Sequence, residues 1–300
     1  MKTKKRILLI INPNAGKGAA KSKLFNIVDG FVKNGDEVCV YTTQYQGNGG
    51  ELIKKHAHHF NLLVSCGGDG TLNEIVNAMM EIGVEIPFGY IPMGTTNDFA
   101  TTLKIPKNVD KAVKNIIDGH VFHSDIGKFN QAYFAYVAAF GIFTEVSYST
   151  PQEYKNLLGR AAYFVEGLIQ LTKIKTYQLK IEYDDGVVED EFIFGSISNS
   201  KFIGGMQAYN TKHANLDDGE FEVLLVKCPQ NPLDLQIIVS ALLKQELNDK
   251  FMTFFRTSHM LVHSENEIAW TLDGESGGSL KEVEINIIPK ALPIIITKHK

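Results

Sequence analysis

The stretch LLVSCGGDGTLNE, residues 62–74, decides the fold of the first third of this sequence. Leu62 to Cys66 is a short, mostly apolar run that is typical of a buried strand. It leads directly into a glycine turn, and Thr71 to Glu74 has the capping-box spacing of a helix start. Apolar residues then recur on one face of a helix: Leu72, Ile75, Val76, Met79 and Met80. The sequence therefore predicts a strand, a glycine turn and a helix beginning at Thr71, in immediate succession.

The same alternation extends along the rest of the first third. Strands are predicted at Arg6 to Ile11, Glu37 to Tyr41 and Phe88 to Ile91, with amphipathic helical patterns between them. Strands that alternate with helices imply a parallel sheet covered by helices on both sides.

The pattern changes after about residue 120. Tyr177 to Tyr183 and Val187 to Phe194 alternate around Asp184-Asp185-Gly186, which is a strong hairpin signal. Helices are expected near Tyr154 to Lys173 and at Pro232 to Gln245. Further strands are expected at Glu220 to Lys227, Met260 to His263, Ile268 to Leu272 and Val283 to Ile288. The second part of the chain is therefore predicted to be mainly antiparallel β structure.

Composition excludes several classes of protein. In 300 residues, 44% are apolar and 21% charged, as in ordinary globular chains, and no apolar run is long enough to cross a bilayer. Three cysteines without a CxxC pair imply neither a disulfide framework nor a zinc site. A net charge of −4 gives no general attraction for nucleic acid, so nucleic-acid binding is not expected. Asn12-Pro13-Asn14 interrupts the basic and apolar N-terminus before a secretory signal could form, which predicts a cytoplasmic protein.

The glycine turn from Gly67 to Thr71 suits a phosphate group. Glycines let the backbone approach a ligand closely, and the free amides at a helix N-terminus favour an anion. Asp69 would repel a phosphate unless Mg²⁺ lies between them or a hydroxyl proton needs an acceptor. A plain turn between strand and helix would also use glycine and aspartate. We favour the functional interpretation because the turn, the helix start and the acidic group coincide.

A second glycine turn, Gly94 to Ala100, follows the strand Phe88 to Ile91 and carries Asp98. Adjacent parallel strands end at one crevice, so Asp69 and Asp98 are expected to face the same ligand, although Asp98 alone fits a simple helix cap equally well. The first strand ends in Asn12 to Gly18, which lacks both the Walker spacing and the GxGxxG fingerprint. Its backbone amides could still hold a nucleotide, with Lys17 as a more exposed contact.

Taken in order, these motifs resemble the diacylglycerol kinase catalytic-domain family, which includes soluble bacterial lipid kinases and sphingosine kinases. The resemblance covers nearly the whole chain. It rests on Asn12-Pro13-x-x-Gly16, Gly67 to Thr71, Gly94 to Ala100, Asp125 to Lys128, Asn156 to Tyr163, Asp217 to Val223 and Leu272 to Glu275.

The resemblance implies the architecture. It predicts an α/β N-terminal nucleotide domain like those of phosphofructokinase and NAD kinase at residues 1–121, completed by a C-terminal strand at about 290–300. A mainly antiparallel β-sandwich domain at residues 122–289 would carry the lipid substrate, and the active site would be the cleft between the domains.

The resemblance also implies the chemistry: transfer of the γ-phosphate of ATP to a lipid hydroxyl, with Mg²⁺, most simply diacylglycerol to phosphatidic acid. Glu275 matches the family's catalytic base, and Asp69 and Asp98 are the other catalytic residues expected. The residues expected to bind the nucleotide are Asn12, Pro13, Asn14, Ala15, Gly16, Thr43, Gly67, Gly68, Asp69, Gly70, Thr71, Asn73, Gly94, Thr95, Thr96 and Asn97. A structural Mg²⁺ would be bound by Asn215, Asp218 and Glu220.

The expected partners are a lipid at a membrane surface, to which the protein binds peripherally and transiently, and a second copy of the chain in a homodimer. Two features depart from the family pattern: Ala15, where serine is common, and the loop from Gly205 to Asn210. Because the family recognises its lipid at this loop, the identity of the lipid acceptor stays open. Two alternatives remain: an NAD kinase-like enzyme acting on a soluble hydroxyl, and a catalytically silent regulator that binds lipid or nucleotide.

Overall fold

The computed structural model describes residues 4–142, 175–203, 206–207, 215–244 and 246–298. The helix expected near Tyr154 to Lys173 lies outside the described residues, and of the loop from Gly205 to Asn210 only the backbone of Met206 and Gln207 is described. No helix within the described ranges is long and apolar enough to span a membrane.

The first part of the chain alternates strands and helices, as the sequence predicts. Its strands are β1 (Arg6–Ile11), β2 (Glu37–Thr42), β3 (Leu62–Gly67) and β4 (Phe88–Pro92). Its helices are α1 (Ala19–Lys33), α2 (Asn48–His56), α3 (Asp69–Glu81), α4 (Asp98–Thr102) and α5 (Val109–Asp118). The four strands pair in parallel in the order β4-β3-β1-β2. The predicted parallel sheet is confirmed.

Both faces of this sheet are buried because the side chains of β1 point alternately to two cores. Leu8 and Ile10 pack in one core with residues of α2 and α3, such as Ile53 and Leu72. Ile7, Leu9 and Ile11 pack in the other with residues of α1 and α5. A strand covered on both faces reads as a continuous apolar run, which is why β1 was recognisable from sequence.

The second part of the chain is mainly antiparallel, with one helix, α6 (Pro232–Lys244), among the described residues. Its strands are β5 (His120–Phe129), β6 (Ala132–Phe134), β7 (Val137–Gly141), β8 (Tyr177–Tyr183), β9 (Gly186–Ser198), β10 (Phe202–Ile203), β11 (Met206–Gln207), β12 (Phe221–Lys227), β13 (Met252–Thr257), β14 (His259–Leu272) and β15 (Glu275–Ile296). The hairpin predicted around Asp184 is confirmed, with Tyr183 paired to Gly186. Trp270 centres the aromatic core, with ring centroids 4.9 Å from Phe140 and 5.1 Å from Phe129.

Two local predictions were wrong. The segments Met260 to His263 and Ile268 to Leu272 belong to one strand, β14, which stays continuous through a register shift between His263 and Ile268. Helix α3 begins at Asp69 rather than Thr71, with Gly68 as its N-cap. The capping box does not form because Glu74 accepts hydrogen bonds from the backbone N–H groups of Gly47 and Gly49 instead.

Strand β15 joins the two parts of the chain. At its start Glu275 pairs with Leu272 of β14, and near its end Ile294 pairs in parallel with Phe88 of β4. Along its length it also pairs antiparallel with β5. The parallel strands and most of the antiparallel ones described therefore form a single 13-stranded sheet, and the first residue of β15 is brought to the junction.

Candidate active site

Three loops meet where β1, β3 and β4 end. The backbone N–H of Asn12, just after β1, donates to the Cys66 carbonyl at 2.9 Å, and its side-chain Nδ2 donates to Thr71 Oγ1 at 3.2 Å. The Met93 N–H, just after β4, donates to the Gly67 carbonyl at 2.7 Å. These bonds hold the loops of the three predicted motifs together at one edge of the sheet.

The two glycine turns touch backbone to backbone. A Cβ atom added at Gly94 would lie 2.8 Å from Gly68 Cα, and one added at Gly68 would lie 3.1 Å from Gly94 Cα. Non-bonded carbon atoms normally stay about 3.5–4.0 Å apart, so any side chain at these positions would push the turns apart. Glycine is thus required by the close approach of the turns, in addition to any approach of a ligand.

The N-terminus of α3 opens into this junction. Its N-cap is Gly68, and no side chain caps the helix there. The first backbone N–H groups of a helix have no partner within it, and together with the helix dipole they favour an anion. The glycine turn at residues 67–71 is therefore suited to a phosphate group, and we call it the phosphate turn.

Asp69 links the two turns through one carboxylate oxygen. Oδ2 accepts hydrogen bonds from Thr96 Oγ1 and from the Asn97 N–H, both at 2.9 Å. Oδ1 is buried and has no hydrogen-bond partner. Burial raises the pKa of Asp69, while the hydrogen bonds from Thr96 and Asn97 oppose that rise. An orphaned buried carboxylate oxygen fits a bound cation or a hydroxyl donor that a substrate complex would supply.

Asp98 is the first residue of α4 and is almost fully buried. Burial, followed by the charges of Asp69, Asp273 and Asp98, raises the pKa of the Tyr136 hydroxyl well above its usual value. The Tyr136 hydroxyl itself donates a hydrogen bond to the Asp273 carbonyl at 3.2 Å. Among the described side chains no group of three acidic, histidine or cysteine residues is arranged to hold a metal ion, so Mg²⁺ here would also need oxygens from a ligand.

Asp273 fixes the turn that joins β14 to β15. It is fully buried among donors: the N–H groups of Ala135, Tyr136 and Val137 at 2.7, 2.9 and 3.1 Å, and Asn73 Nδ2 at 2.9 Å. Its backbone has a φ of +52° and that of Gly274 has a φ of +87°, which produces a tight reversal of the chain. Burial raises the pKa of Asp273 to about 6 against these hydrogen bonds.

Glu275 lies just beyond this turn and reaches the phosphate turn. A Cβ atom added at Gly70 would lie 2.5 Å from Glu275 Oε1, so this oxygen is in direct contact with the turn. Oε2 accepts a hydrogen bond from Gln46 Nε2 at 3.3 Å. Burial raises the pKa of Glu275, and the nearby charge of Glu74 raises it further. A half-buried carboxylate with a raised pKa beside an anion site is suited to accept a proton.

The structure brings most of the predicted site residues to this junction. Thr43 follows β2, and its N–H donates to the Ile11 carbonyl at 2.9 Å, so it lies beside the loop that contains Pro13, Asn14, Ala15 and Gly16. Thr95 is exposed on the second glycine turn. Asn73, predicted to contact the nucleotide, uses its side-chain amide to bind Asp273.

The predicted structural metal loop is paired with an arginine. Arg256 contacts Asp218 Oδ2 at 2.5 Å and Glu220 Oε2 at 2.9 Å, and Glu222 Oε1 lies 3.6 Å from its Nε. Asn215 is exposed. Because a guanidinium already occupies both predicted carboxylates, their side chains as arranged do not fit a divalent cation.

Several residues of the site had no signal in the sequence. Asp273 was visible only as part of an Asp-Gly-Glu turn, and its buried donors include the N–H groups of Ala135 and Tyr136, between β6 and β7, far away along the chain. Gln46 and Glu74 lie near Glu275 only because α2, α3 and β15 meet in space.

Comparison with known families agrees with this geometry. Residues 6–129 match the model of the diacylglycerol kinase catalytic domain. Residues 137–296 match the YegS C-terminal NAD kinase beta sandwich-like domain. The two matches together cover both the glycine turns and Glu275.

Whole-chain relatives extend the match. The chain is 30% identical to the diacylglycerol kinase of Bacillus subtilis (strain 168), covering 99% of this chain and 98% of that one. It is 33% identical to the diacylglycerol kinase of Staphylococcus saprophyticus, covering 95% and 93%. A crystal structure of a diacylglycerol kinase from Bacillus anthracis str. Sterne superposes with a TM-score of 0.77 at 25% identity, covering 99% and 98%. With both of its parts matched and these relatives aligned along nearly its full length, this chain belongs to the diacylglycerol kinase family of lipid kinases.

Proposed function

We propose that this protein transfers the γ-phosphate of ATP to the hydroxyl group of diacylglycerol, which gives phosphatidic acid and ADP. The observation that carries the proposal is the contact between Glu275 Oε1 and Gly70, which joins a carboxylate from β15 to the phosphate turn of the parallel sheet. A proton acceptor and an anion site in direct contact are what a phosphoryl transfer to an alcohol requires. The names of the relatives at 30–33% identity support diacylglycerol as the acceptor.

The nucleotide would lie over the glycine turns. Its phosphates would meet the backbone N–H groups at the start of α3, and the contact between Gly68 and Gly94 leaves backbone, not side chains, facing that space. The loop after β1, held by Asn12, would border the rest of the nucleotide. Asp69, with its buried and unpaired Oδ1, and Asp98 would hold Mg²⁺ together with phosphate oxygens. When bound, Mg²⁺ offsets the negative charge of the phosphoryl group.

Glu275 would act as the base. As the lipid oxygen attacks the γ-phosphorus, its O–H bond breaks and the proton moves to a carboxylate oxygen of Glu275. Asp273 does not take part in this transfer, because its oxygens are occupied by the donors that hold the turn. Its role is to keep Glu275 at the required place.

The acceptor lipid resides in a bilayer, so the protein would bind a membrane surface peripherally while the cleft takes up the headgroup. Nothing in this mechanism requires a spanning segment. We further propose a homodimer as the working assembly, which analytical ultracentrifugation at micromolar concentration would test as a separate question.

The acceptor is tested with labelled ATP and a panel of hydroxyl compounds. The purified protein, mixed micelles of diacylglycerol, sphingosine micelles and NAD should be incubated separately with γ-labelled ATP and Mg²⁺. We expect label in phosphatidic acid and little in the other products. Label in NADP would support the NAD kinase alternative, and transfer to sphingosine alone would retain the lipid kinase but change its substrate. Absence of transfer to every acceptor would favour a silent regulator.

A further inference from the structure

The two carboxylate oxygens of Glu275 have different surroundings. Oε1 faces the phosphate turn, 2.5 Å from where a side chain of residue 70 would begin. Oε2 faces the loop between β2 and α2, where Gln46 Nε2 donates a hydrogen bond to it at 3.3 Å. A hydrogen bond to one oxygen restricts rotation of the carboxylate, so the other oxygen stays directed at the turn.

The loop that carries Gln46 is fastened to α3 by a second carboxylate. Glu74 Oε1 accepts the Gly47 N–H at 2.7 Å, and Glu74 Oε2 accepts the Gly49 N–H at 3.1 Å. Glu74 therefore caps the N-terminus of α2, which has no cap from its own residues. Because the phosphate turn leads directly into α3, the helix that carries Glu74, the position of Gln46 is set relative to the place where phosphate would bind.

Glycine is needed at two positions for this fastening. Gly47 has a φ of +87°, which side-chain-bearing residues rarely adopt. A Cβ atom at Gly49 would lie 2.9 Å from Glu74 Oε2 and would displace the carboxylate. The backbone of Gly47, the cap that Glu74 provides to α2 and the contact of Gln46 with Glu275 thus all depend on the same loop conformation.

We propose that Gln46 is a positioning residue for the base: it occupies Oε2 of Glu275 so that Oε1 receives the proton of the acceptor hydroxyl, and Glu74 anchors the loop that presents Gln46. This inference rests on the proposed function and deepens it, because it names residues outside the glycine turns that determine how the base acts.

The proton balance follows from this arrangement. The acceptor O–H bond breaks and its proton forms a bond with Oε1, while the acceptor oxygen bonds to the γ-phosphorus. The bond between that phosphorus and the β–γ bridging oxygen breaks, and ADP leaves with the electron pair. Glu275 later returns the proton to solvent. Gln46 donates its hydrogen bond throughout and neither gains nor loses a proton.

The variant Gln46→Met tests the role of the donor, since methionine keeps the length of the side chain without its N–H groups. We expect turnover to fall about three- to tenfold, as the loss of one modest hydrogen bond allows, with unchanged KM values for ATP and lipid. The matched control is Gln44→Met in the same loop, because Gln44 Nε2 binds Thr42 O and Oγ1 and does not contact Glu275. This control should keep wild-type turnover.

A second measurement does not depend on activity. The pKa of Glu275 can be followed by carbon NMR with labelled glutamate, using Glu275→Gln to assign the signal. A donor to the carboxylate favours its charged form, so Gln46→Met should raise this pKa, whereas Gln44→Met should not. In a Glu275→Gln background, Gln46→Met should cause no further loss of turnover.

The outcomes separate the two proposals. If the wild-type protein phosphorylates no lipid, the proposed function fails, and the NMR titration still decides whether Gln46 acts on Glu275. An unchanged pKa of Glu275 together with wild-type turnover in Gln46→Met would overturn the positioning role. A change confined to KM would also overturn it and would make Gln46 a substrate contact.

Discussion

Asp69 uses its two oxygens differently: Oδ2 binds Thr96 and Asn97, whereas Oδ1 is buried without a partner. We predict that Asp69→Asn reduces turnover about 10²–10³-fold, because an amide cannot supply the negative charge that a cation at this place requires. The free energy of unfolding should fall by only about 1 kcal/mol, the net value of a hydrogen bond that is partly kept. Steady-state kinetics and urea unfolding would measure both. A folded variant with near-normal turnover would remove Asp69 from the chemistry.

The buried carboxyl group of Asp273 predicts how the stability of the fold depends on pH. Its pKa is raised to about 6, above the value of about 3.9 for an unfolded aspartate, so the folded protein binds this proton more tightly. Stability from this group is therefore fully present below about pH 4 and is lost as pH rises through about 6.

Asp273→Asn should abolish that dependence and should also lower stability by about 1–3 kcal/mol, since buried donors lose an acceptor. The advantage of wild type over Asp273→Asn in urea unfolding should therefore shrink between pH 4.5 and pH 7. If the stability advantage of wild type grows with pH instead, the four hydrogen bonds outweigh the effect of burial. The folded protein then favours the charged carboxylate of Asp273.

At the scale of elements, the contact between the glycine turns determines whether α3 and α4 can share a ligand. A Cβ atom at Gly94 would lie 2.8 Å from Gly68 Cα, so Gly94→Ala should separate the turns and weaken nucleotide binding at least about tenfold. Gly186→Ala is the matched control, because its nearest neighbour would be Tyr183 Oη at 3.4 Å, an ordinary contact in a distant hairpin. Calorimetric titration with an ATP analogue would measure both. Equal affinity in the two variants would show that the turns tolerate separation.

The loop before β12 raises a different question, because Arg256 already forms ion pairs with Asp218 and Glu220. We predict that Arg256→Gln increases the affinity of the nucleotide-free protein for Mn²⁺ about tenfold or more, since the cation no longer competes with a guanidinium a few ångströms away. Electron paramagnetic resonance of free Mn²⁺ would report the binding. If the wild type instead binds Mn²⁺ tightly and Asp218→Asn abolishes this binding, the prediction is contradicted. The loop would then hold the structural metal that the family resemblance implies.

The elements also show what sequence could predict. β1 has the predicted bounds, because a strand buried on both faces is apolar throughout. The start of α3 was wrong by two residues, because the capping-box pattern from Thr71 to Glu74 is local and the partners of Glu74 are not. Propensity and spacing describe only residues that are close in the chain. Gly47 and Gly49 are far from Glu74 in the chain and become its neighbours only in the folded state.

At the scale of the whole molecule, β15 is the element that assembles the site. It leaves the turn at Asp273 with Glu275, pairs with β14 and β5, and ends beside β4 of the parallel sheet. The glycine turns could be located from sequence because their chemistry is local. The role of Glu275 came only from the family resemblance, since no spacing rule relates residue 275 to residue 70.

The account depends most on Glu275 as the base, and the variant Glu275→Gln tests it directly. The substitution keeps the shape of the side chain and its ability to accept from Gln46, but removes the charge. Turnover of diacylglycerol at saturating ATP should fall about 10²–10⁴-fold, the usual loss for a general base, while the affinity for ATP stays within about twofold. The raised pKa of Glu275 adds a check: wild-type turnover should decrease on the acidic side, and the residual turnover of the variant should not follow that decrease. Turnover of Glu275→Gln within about threefold of wild type, with ATP affinity unchanged, would contradict the account.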